Sequence, residues 1–345
     1  MKRAIVRIAV CLNESNWHIG FIEALQKFAD QDNYEFELVE IDSHDWIERL
    51  EKFDAVIWKP SYMGSEACGY LKEKIYFIET FLNKIVIPNF ATIWHFESKA
   101  AQSYLFNYFK IQTPLTCATF DLNNALEQIE NYSFPIVMKQ TYGAGSVNVR
   151  LAKNKPSARK ILKMSFSRQL IKGCKKLEKF YPWNLPYILK YFFDIKYLNN
   201  NQHCGYWQEF IPKNSRDLRV TVIGQRYVFG FWRNNRPNDF RASGGGNIDY
   251  ESPIPMDALR YCLEINRKLN FDSMAYDLVF AENGDFKVIE MSYGYIDTAI
   301  HKTPGHYKLT DDDQLEFRAG HTWPQELWAL WLLERLGGAT NGTVK

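Results

Sequence analysis

The stretch DLVFAENGDFKVIEMS, residues 277–292, constrains this chain more tightly than any other part of it. Asn283-Gly284 between two apolar runs predicts a β-hairpin closed by a two-residue turn. Such a turn sets Asp277 directly opposite Glu290, with both carboxylates on one face of the sheet. Opposed β carbons lie roughly 4.5–5.5 Å apart, and like charges at that separation repel unless something positive lies between them. Oxygen-only ligands of this kind suit Mg2+, which keeps several waters and shares its shell with nucleotide phosphates. An exposed hairpin with its acids in water is the other reading. Leu278, Val279, Val288 and Ile289 argue against it, because they make both strands apolar on both faces. A strand buried on both sides does not carry carboxylates for solubility.

The first ninety residues alternate strand-like and helix-like patterns: AIVRIAVCL, WHIGFIEALQKFA, EFELVEI, HDWIERLEKF, DAVIWKP, a helix around Leu71 to Leu82, and IVIPNF. Alternation of this kind predicts a parallel sheet covered by helices. No GxGxxG follows the first strand, so dinucleotide binding is not expected there. A helix with apolar positions at Ala101, Tyr104, Leu105 and Tyr108 follows, capped by Ser98. From Phe134 the pattern becomes antiparallel, interrupted by a basic, aromatic-rich insertion over 153–204. A last helix, WPQELWALWLLERLGG, carries a tryptophan-rich face suited to the core or to a partner, a homodimer contact included.

With 345 residues and 46% hydrophobic content the chain has room for a sizeable core, and no stretch reaches the apolar length of a membrane span. The N-terminus reads as a first strand rather than a signal peptide. Six scattered cysteines without metal-ligand spacing fit reduced thiols in a cytoplasm. The net charge is only +2, yet twelve Lys or Arg residues against two acids fall between Lys153 and Lys196. Such a block is either a solvated helical face or an attractor of something anionic, an acidic glycan or a membrane surface among the candidates.

Two glycine-rich segments stand out. QTYGAGS, holding Gly143, Gly145 and Ser146, joins two strands rather than a strand and a helix, and GxxxxGK[ST] is absent. A hairpin tip of this composition can still fold over triphosphate oxygens, donating backbone N–H groups. Lys139 just before it lies in an apolar strand, where it either meets an anion or snorkels from an edge. In NDFRASGGGNIDY, Arg241 precedes Ser243-Gly244-Gly245-Gly246, a guanidinium beside open backbone that suits phosphate or carboxylate. Arg219 and Arg233 sit on strands that feed this segment.

In this order the pieces resemble the ATP-grasp superfamily over nearly all of residues 1–305, in its glutathione-synthetase-like and ribosomal-protein-glutamate-ligase-like form. Lys99 at a helix start, FPIVMKQTYGAGSVNVRLA, YWQEFIP, DLRVTVIG, FWRNN, DFRASGGG and AYDLVF with VIEMS follow the family sequence. The resemblance implies α/β plus α+β architecture: a Rossmann-like N-terminal domain over 1–95, a two-lobed ATP-grasp domain with antiparallel sheets over 96–318, and a helical extension over 319–345. It implies that Lys99 and Lys139 contact the phosphates of ATP, beside Gly143, Gly145 and Ser146. Gln208, Glu209, Phe210 and Ile211 would line adenine and ribose, and Asp277 and Glu290 would hold Mg2+. Ser292 stands where many members have asparagine, a weaker oxygen ligand that puts a second Mg2+ in question.

The implied chemistry is carboxylate–amine ligation through an acylphosphate, with Arg219, Arg233 and Arg241 stabilising the transferring phosphoryl group or holding the carboxylate. A phosphotransferase on the same fold, or a nucleotide-binding protein without turnover, uses the same residues. Expected partners are small-molecule or glycan-linked carboxylate and amine substrates, with peripheral membrane contact through the basic insertion; nucleic acid is not expected. His301 and His306 read as loop histidines that could reach substrate.

Overall fold

The structure, a computed structural model, describes residues 5–60, 65–141, 149–166, 204–237, 239–241 and 247–337. It divides into two compact units, one of Met1–Phe96, Asn214–Phe280 and Val288–Lys345, the other of Glu97–Lys213 and Ala281–Lys287.

In the first unit β1 (Val6–Cys11), β2 (Tyr34–Val39), β3 (Ala55–Ile57) and β4 (Ile85–Ile87) form a parallel sheet in the order β2-β1-β3-β4. This is the parallel sheet that the strand–helix alternation predicts. The helix Trp17–Phe28 buries Trp17, Phe21, Ala24, Leu25 and Phe28, one face at helical spacing. That face meets the final helix, Pro324–Arg335, where the Phe21 and Trp328 rings stack at 5.9 Å. Gly20 permits the approach, since a Cβ there would stand 2.8 Å from Gln325 Cγ. Of the tryptophans in this segment Trp328 is core, Trp331 half-buried and Trp323 exposed. Trp328 donates its ring N–H to Tyr295 Oη (2.8 Å), and Trp331 donates to the buried carboxylate of Asp272 (2.7 Å).

The second unit holds an antiparallel sheet of β5 (Thr116–Thr119), β6 (Ile136–Lys139), β7 (Val149–Ala152) and β8 (Gly205–Glu209), ordered β5-β8-β6-β7. Ile136, Met138 and Trp207 pack with Ala158 and Leu162 of the helix Lys155–Phe166 to make its core. The helix Lys99–Phe109 starts as predicted, with Ser98 Oγ accepting the Ala101 N–H. Its buried face differs from the expected stripe. Ala100, Ala101, Leu105 and Phe106 point inward, whereas Tyr104 and Tyr108 are 50% and 81% exposed. Tyrosine tolerates this because its hydroxyl end is polar. The described start of the basic segment is a solvated face, with Lys155 and Arg159 both pairing with Glu130; the remainder of that segment lies outside the described residues.

The first unit also contains β9 (Arg216–Ile223), β10 (Tyr227–Asn234), β11 (Ile248–Asp249), β12 (Ser273–Phe280), all but the first two residues of β13 (Phe286–Ser292), β14 (Gly305–Leu309) and β15 (Leu315–Ala319). They form one sheet in the order β13-β12-β9-β10-β14-β15, with β11 on β10. β9 pairs antiparallel on both sides, with β10 and with β12, so its groups face ladder partners rather than solvent. Cys11, Cys117, Cys204 and Cys262 are free thiols. No described helix is long and apolar enough to cross a membrane.

Candidate functional site

The register of β9 places charged residues opposite charged residues. Arg219 faces Asp277 of β12, and Asp217 faces Arg233 of β10. Asp217 and Arg219 are two apart on one strand and so share a sheet face. Arg219 binds Asp277 through both carboxylate oxygens, Nε to Oδ1 at 2.5 Å and Nη2 to Oδ2 at 2.9 Å. Arg233 does the same to Asp217, at 2.7 and 2.6 Å, and its Nη2 also lies 2.8 Å from Asp277 Oδ2. Two cations and two anions thus form one nearly buried, electrically balanced group, in the fork geometry that only arginine supplies. Burial alone would push the Asp277 carboxyl up, but Arg219 and Arg233 outweigh it and hold it below the ordinary carboxylate range. Burial would likewise lower Arg233, yet Asp277 and Asp217 push it above its usual value.

The hairpin carrying Asp277 and Glu290 closes differently from the two-residue turn. Ala281 N–H donates to Asp285 O at 2.7 Å and Gly284 N–H to Ala281 O at 2.9 Å, so the loop is Glu282-Asn283-Gly284. Gly284 takes a φ of 87° and Asn283 stays at negative φ. A type I turn ending in a left-handed glycine needs one positive-φ residue where the two-residue turn needs two. Beside this loop Ala281 faces Asp285, one residue out of the expected register. Burial along β13 then slips by one: Phe286 and Val288 are buried, and the next buried residue is Met291. This is the pattern of an added residue, as in a β-bulge, and it leaves Glu290 and Ser292 together on the half-buried side. Ser292 Oγ accepts the Gly294 N–H at 3.1 Å.

Of the three arginines in the sequence reading, the structure brings Arg219 and Arg233 to Asp277. Arg241 pairs instead with Asp239 two residues before it, Nη2 to Oδ2 at 2.6 Å. In the other unit Lys99 is buried at its helix start, and its N–H donates to Thr141 O at 2.8 Å. That bond ties the helix to the chain two residues beyond Lys139, which ends β6 half-buried. Gln208 is buried and donates to Thr116 Oγ1 at 3.1 Å, whereas Glu209 is exposed at the end of β8; Phe210 and Ile211 follow it, partly buried. Gly143, Gly145 and Ser146 lie outside the described residues. His306 is buried, and burial pulls its pKa down to about 4; His301 stacks on the Trp323 ring at 3.8 Å. Both are held by packing.

Among the described residues no three acidic, histidine or cysteine side chains gather into a self-sufficient metal site. Mg2+ does not need one, since it is commonly held by one or two carboxylates together with phosphates. Asp277 Oδ2 is taken by both arginines, whereas Oδ1 accepts only from Arg219 Nε and keeps a second acceptor direction. Asp277 and Glu290 therefore suit an ion shared with a nucleotide. Asp217 is the site residue that the sequence reading passed over. Its signal was there: opposite charges at i and i+2 inside an apolar strand.

No protein-family model matches this chain. It is 29% identical over 154 residues to the alpha-aminoadipate–LysW ligase LysX of Saccharolobus solfataricus, a stretch covering 44% of this chain and 45% of that protein. The chain thus matches under half the length of this curated relative. The RimK domain ATP-grasp protein of Sphaerobacter thermophilus is similar in structure at a TM-score of 0.50 and 15% identity, covering 85% of this chain and 93% of its own. An RiPP-associated ATP-grasp ligase of Chryseobacterium gregarium, solved with ADP and a leader and core peptide, reaches a TM-score of 0.55 at 13% identity, over 96% of this chain and 97% of its own. At these identities the likeness is one of fold: this chain shares the fold of these solved ATP-grasp structures.

Proposed function

We propose that this protein is an ATP-dependent ligase that activates a substrate carboxylate as an acylphosphate and couples it to an amine. The observation that carries this reading is the arginine pair held on Asp277, set in a fold shared with ligases. Phosphoryl transfer asks for alignment and charge neutralisation more than for a covalent catalyst. Lys99 and Lys139 hold the phosphates, and Gln208, Glu209, Phe210 and Ile211 hold adenine and ribose. Mg2+, held by Asp277 and Glu290 together with the phosphates, would supply neutralisation of their charge. Arg219 and Arg233, fixed by Asp217 and Asp277, orient the carboxylate as its oxygen attacks the γ-phosphorus and ADP leaves. The amine then attacks the acyl carbon, loses a proton and expels phosphate. Arg241 guides the phosphoryl or carboxylate group as its loop permits.

The relatives' names, an aminoadipate–LysW ligase and a peptide-bound ligase, support a carboxylate on a small molecule or a peptide as the substrate class. The test is ADP and phosphate release from MgATP across carboxylates and amines, beside Asp277→Ala and Glu290→Ala. Turnover that needs both a carboxylate and an amine, and disappears in both variants, is the expected result. Phosphorylated product without any amine would make the protein a phosphotransferase instead. ADP binding with no turnover on any pair would make it a nucleotide-binding protein.

A further inference from the structure

Lys59, just beyond β3, is 3% exposed. No described residue offers its ammonium a hydrogen bond or an ion pair; three aromatic rings surround it instead. Its Nζ lies 4.5 Å from the centroid of Tyr293, 5.1 Å from Trp17 and 5.7 Å from Tyr295. Ring faces attract a cation but cannot accept its N–H bonds as a carboxylate would. Burial draws the Lys59 pKa down to about 7, with Asp297 pulling it back up. The Asp297 carboxylate is itself occupied, one oxygen by Gln325 Nε2 at 2.9 Å and the other by the Thr298 N–H at 2.7 Å. The Lys59 ammonium is therefore desolvated with its donor directions unspent.

Its position adds to this. In the order β2-β1-β3-β4 the chain leaves β1 to one side and returns to β3 on the other. The crevice beyond the carboxyl ends of β1 and β3 is then the switch point where open parallel sheets take ligands. Asn13, past the end of β1, spans it: Nδ2 donates to Lys59 O at 2.7 Å, and Oδ1 accepts the Trp17 N–H at 3.0 Å. The helix Trp17–Phe28 begins at the same place, with no side-chain cap from Asn16 and no acid in its own first turn to offset its positive end. Tyr293, the nearest ring, is the residue after Ser292 and three beyond Glu290, and its Oη donates to Pro60 O at 2.7 Å. The lysine thus sits against the strand end that carries Glu290.

We propose that Lys59 anchors a carboxylate of the substrate at this switch point, a carboxylate other than the one activated. This rests on the ligase reading and deepens it, because that reading gives the activated carboxylate to Arg219 and Arg233, so the carboxylate held by Lys59 is a second one. The substrate is accordingly a dicarboxylate, or an amino acid or peptide end that keeps one free carboxylate.

The full chain labelled with 13C-lysine tests this. The Lys59 ε-methylene signal, displaced by three ring currents and identified by its loss in Lys59→Arg, is followed during titration with succinate, glutarate and L-glutamate at constant ionic strength. At least one of them is expected to move the signal saturably and raise its pKa by about one unit or more, the effect of an opposite charge in contact. Sodium chloride is expected to do neither. Lys59→Met is expected to weaken binding of that compound at least tenfold with ADP affinity unchanged. Silence of the Lys59 signal with all three acids, or an equal response to chloride, overturns the proposal, and so does unchanged acid affinity in a folded Lys59→Met. If that variant does not fold, the titration of the native chain decides. Calorimetry with MgADP separates the two readings: ADP binding with a silent Lys59 removes this inference alone, and a responsive Lys59 without ADP binding removes the ligase reading alone.

Discussion

Asp277 receives hydrogen bonds from two guanidinium groups, and Asp217 returns the charge balance by holding the second of them. Removing one member of such a buried group leaves an uncompensated charge, which costs about 3–5 kcal/mol. Asp217→Ala is therefore expected to lower stability in urea denaturation by that amount and to reduce turnover, because Arg233 loses the partner that orients it. Arg219→Lys keeps the charge but gives up the two-bond fork, and a fall of ADP release with little loss of stability is expected. The same group makes acid stability legible. Asp277 has a folded pKa below its unfolded one, so its contribution is complete above the unfolded value near 3.9 and is lost as pH falls through the lower folded value. His95 acts over a higher window. It is buried beside Phe271, which drops its pKa to about 3, so the unfolded chain binds the extra proton between about 3 and 6.5 and stability rises with pH across that span. Replacing His95 by Phe is expected to flatten the slope there, read as urea midpoints at several pH values.

At the scale of elements, Asn283-Gly284 signalled the hairpin, and apolar runs on either side signalled its burial. The loop length was out of reach of that signal, because Asn-Gly serves both a two-residue turn and the three-residue loop that ends in a left-handed glycine. Which forms depends on the twist the neighbouring strands impose, and β12 is paired with β9. Gly284→Ala meets no atom within 4 Å, so its cost is conformational alone, about 1–2 kcal/mol for a left-handed alanine. Thermal denaturation checks this, and a fall in Mg2+-dependent turnover beyond that expected from stability would show that the loop sets the Asp277–Glu290 geometry. The helix Lys99–Phe109 shows a similar division. Ser98 as its cap was local information, whereas Tyr104 and Tyr108 face solvent because the neighbouring sheet selects Ala100, Ala101, Leu105 and Phe106.

For the whole molecule, binding of MgADP to the folded chain alone would raise its stability by about 2.7 kcal/mol at a ligand concentration one hundred times Kd. A concentration-dependent rise in melting temperature with MgADP is expected, much reduced with EDTA and in Asp277→Asn. Sequence by itself determined the order of elements, the parallel first sheet and the antiparallel pattern after Phe134. These follow from periodicity, caps and residue type, which act over a few positions of chain. Only the tertiary structure decided that Asp217 locks Arg233, that Arg241 turns to Asp239, that the last helix spends Trp328 and Trp331 on the interior of its unit, and that Lys59 lies among three rings. Each of these joins residues far apart in sequence or chooses among several nearby counter-charges, and what selects them is strand register and packing, quantities that exist only once the sheets have formed.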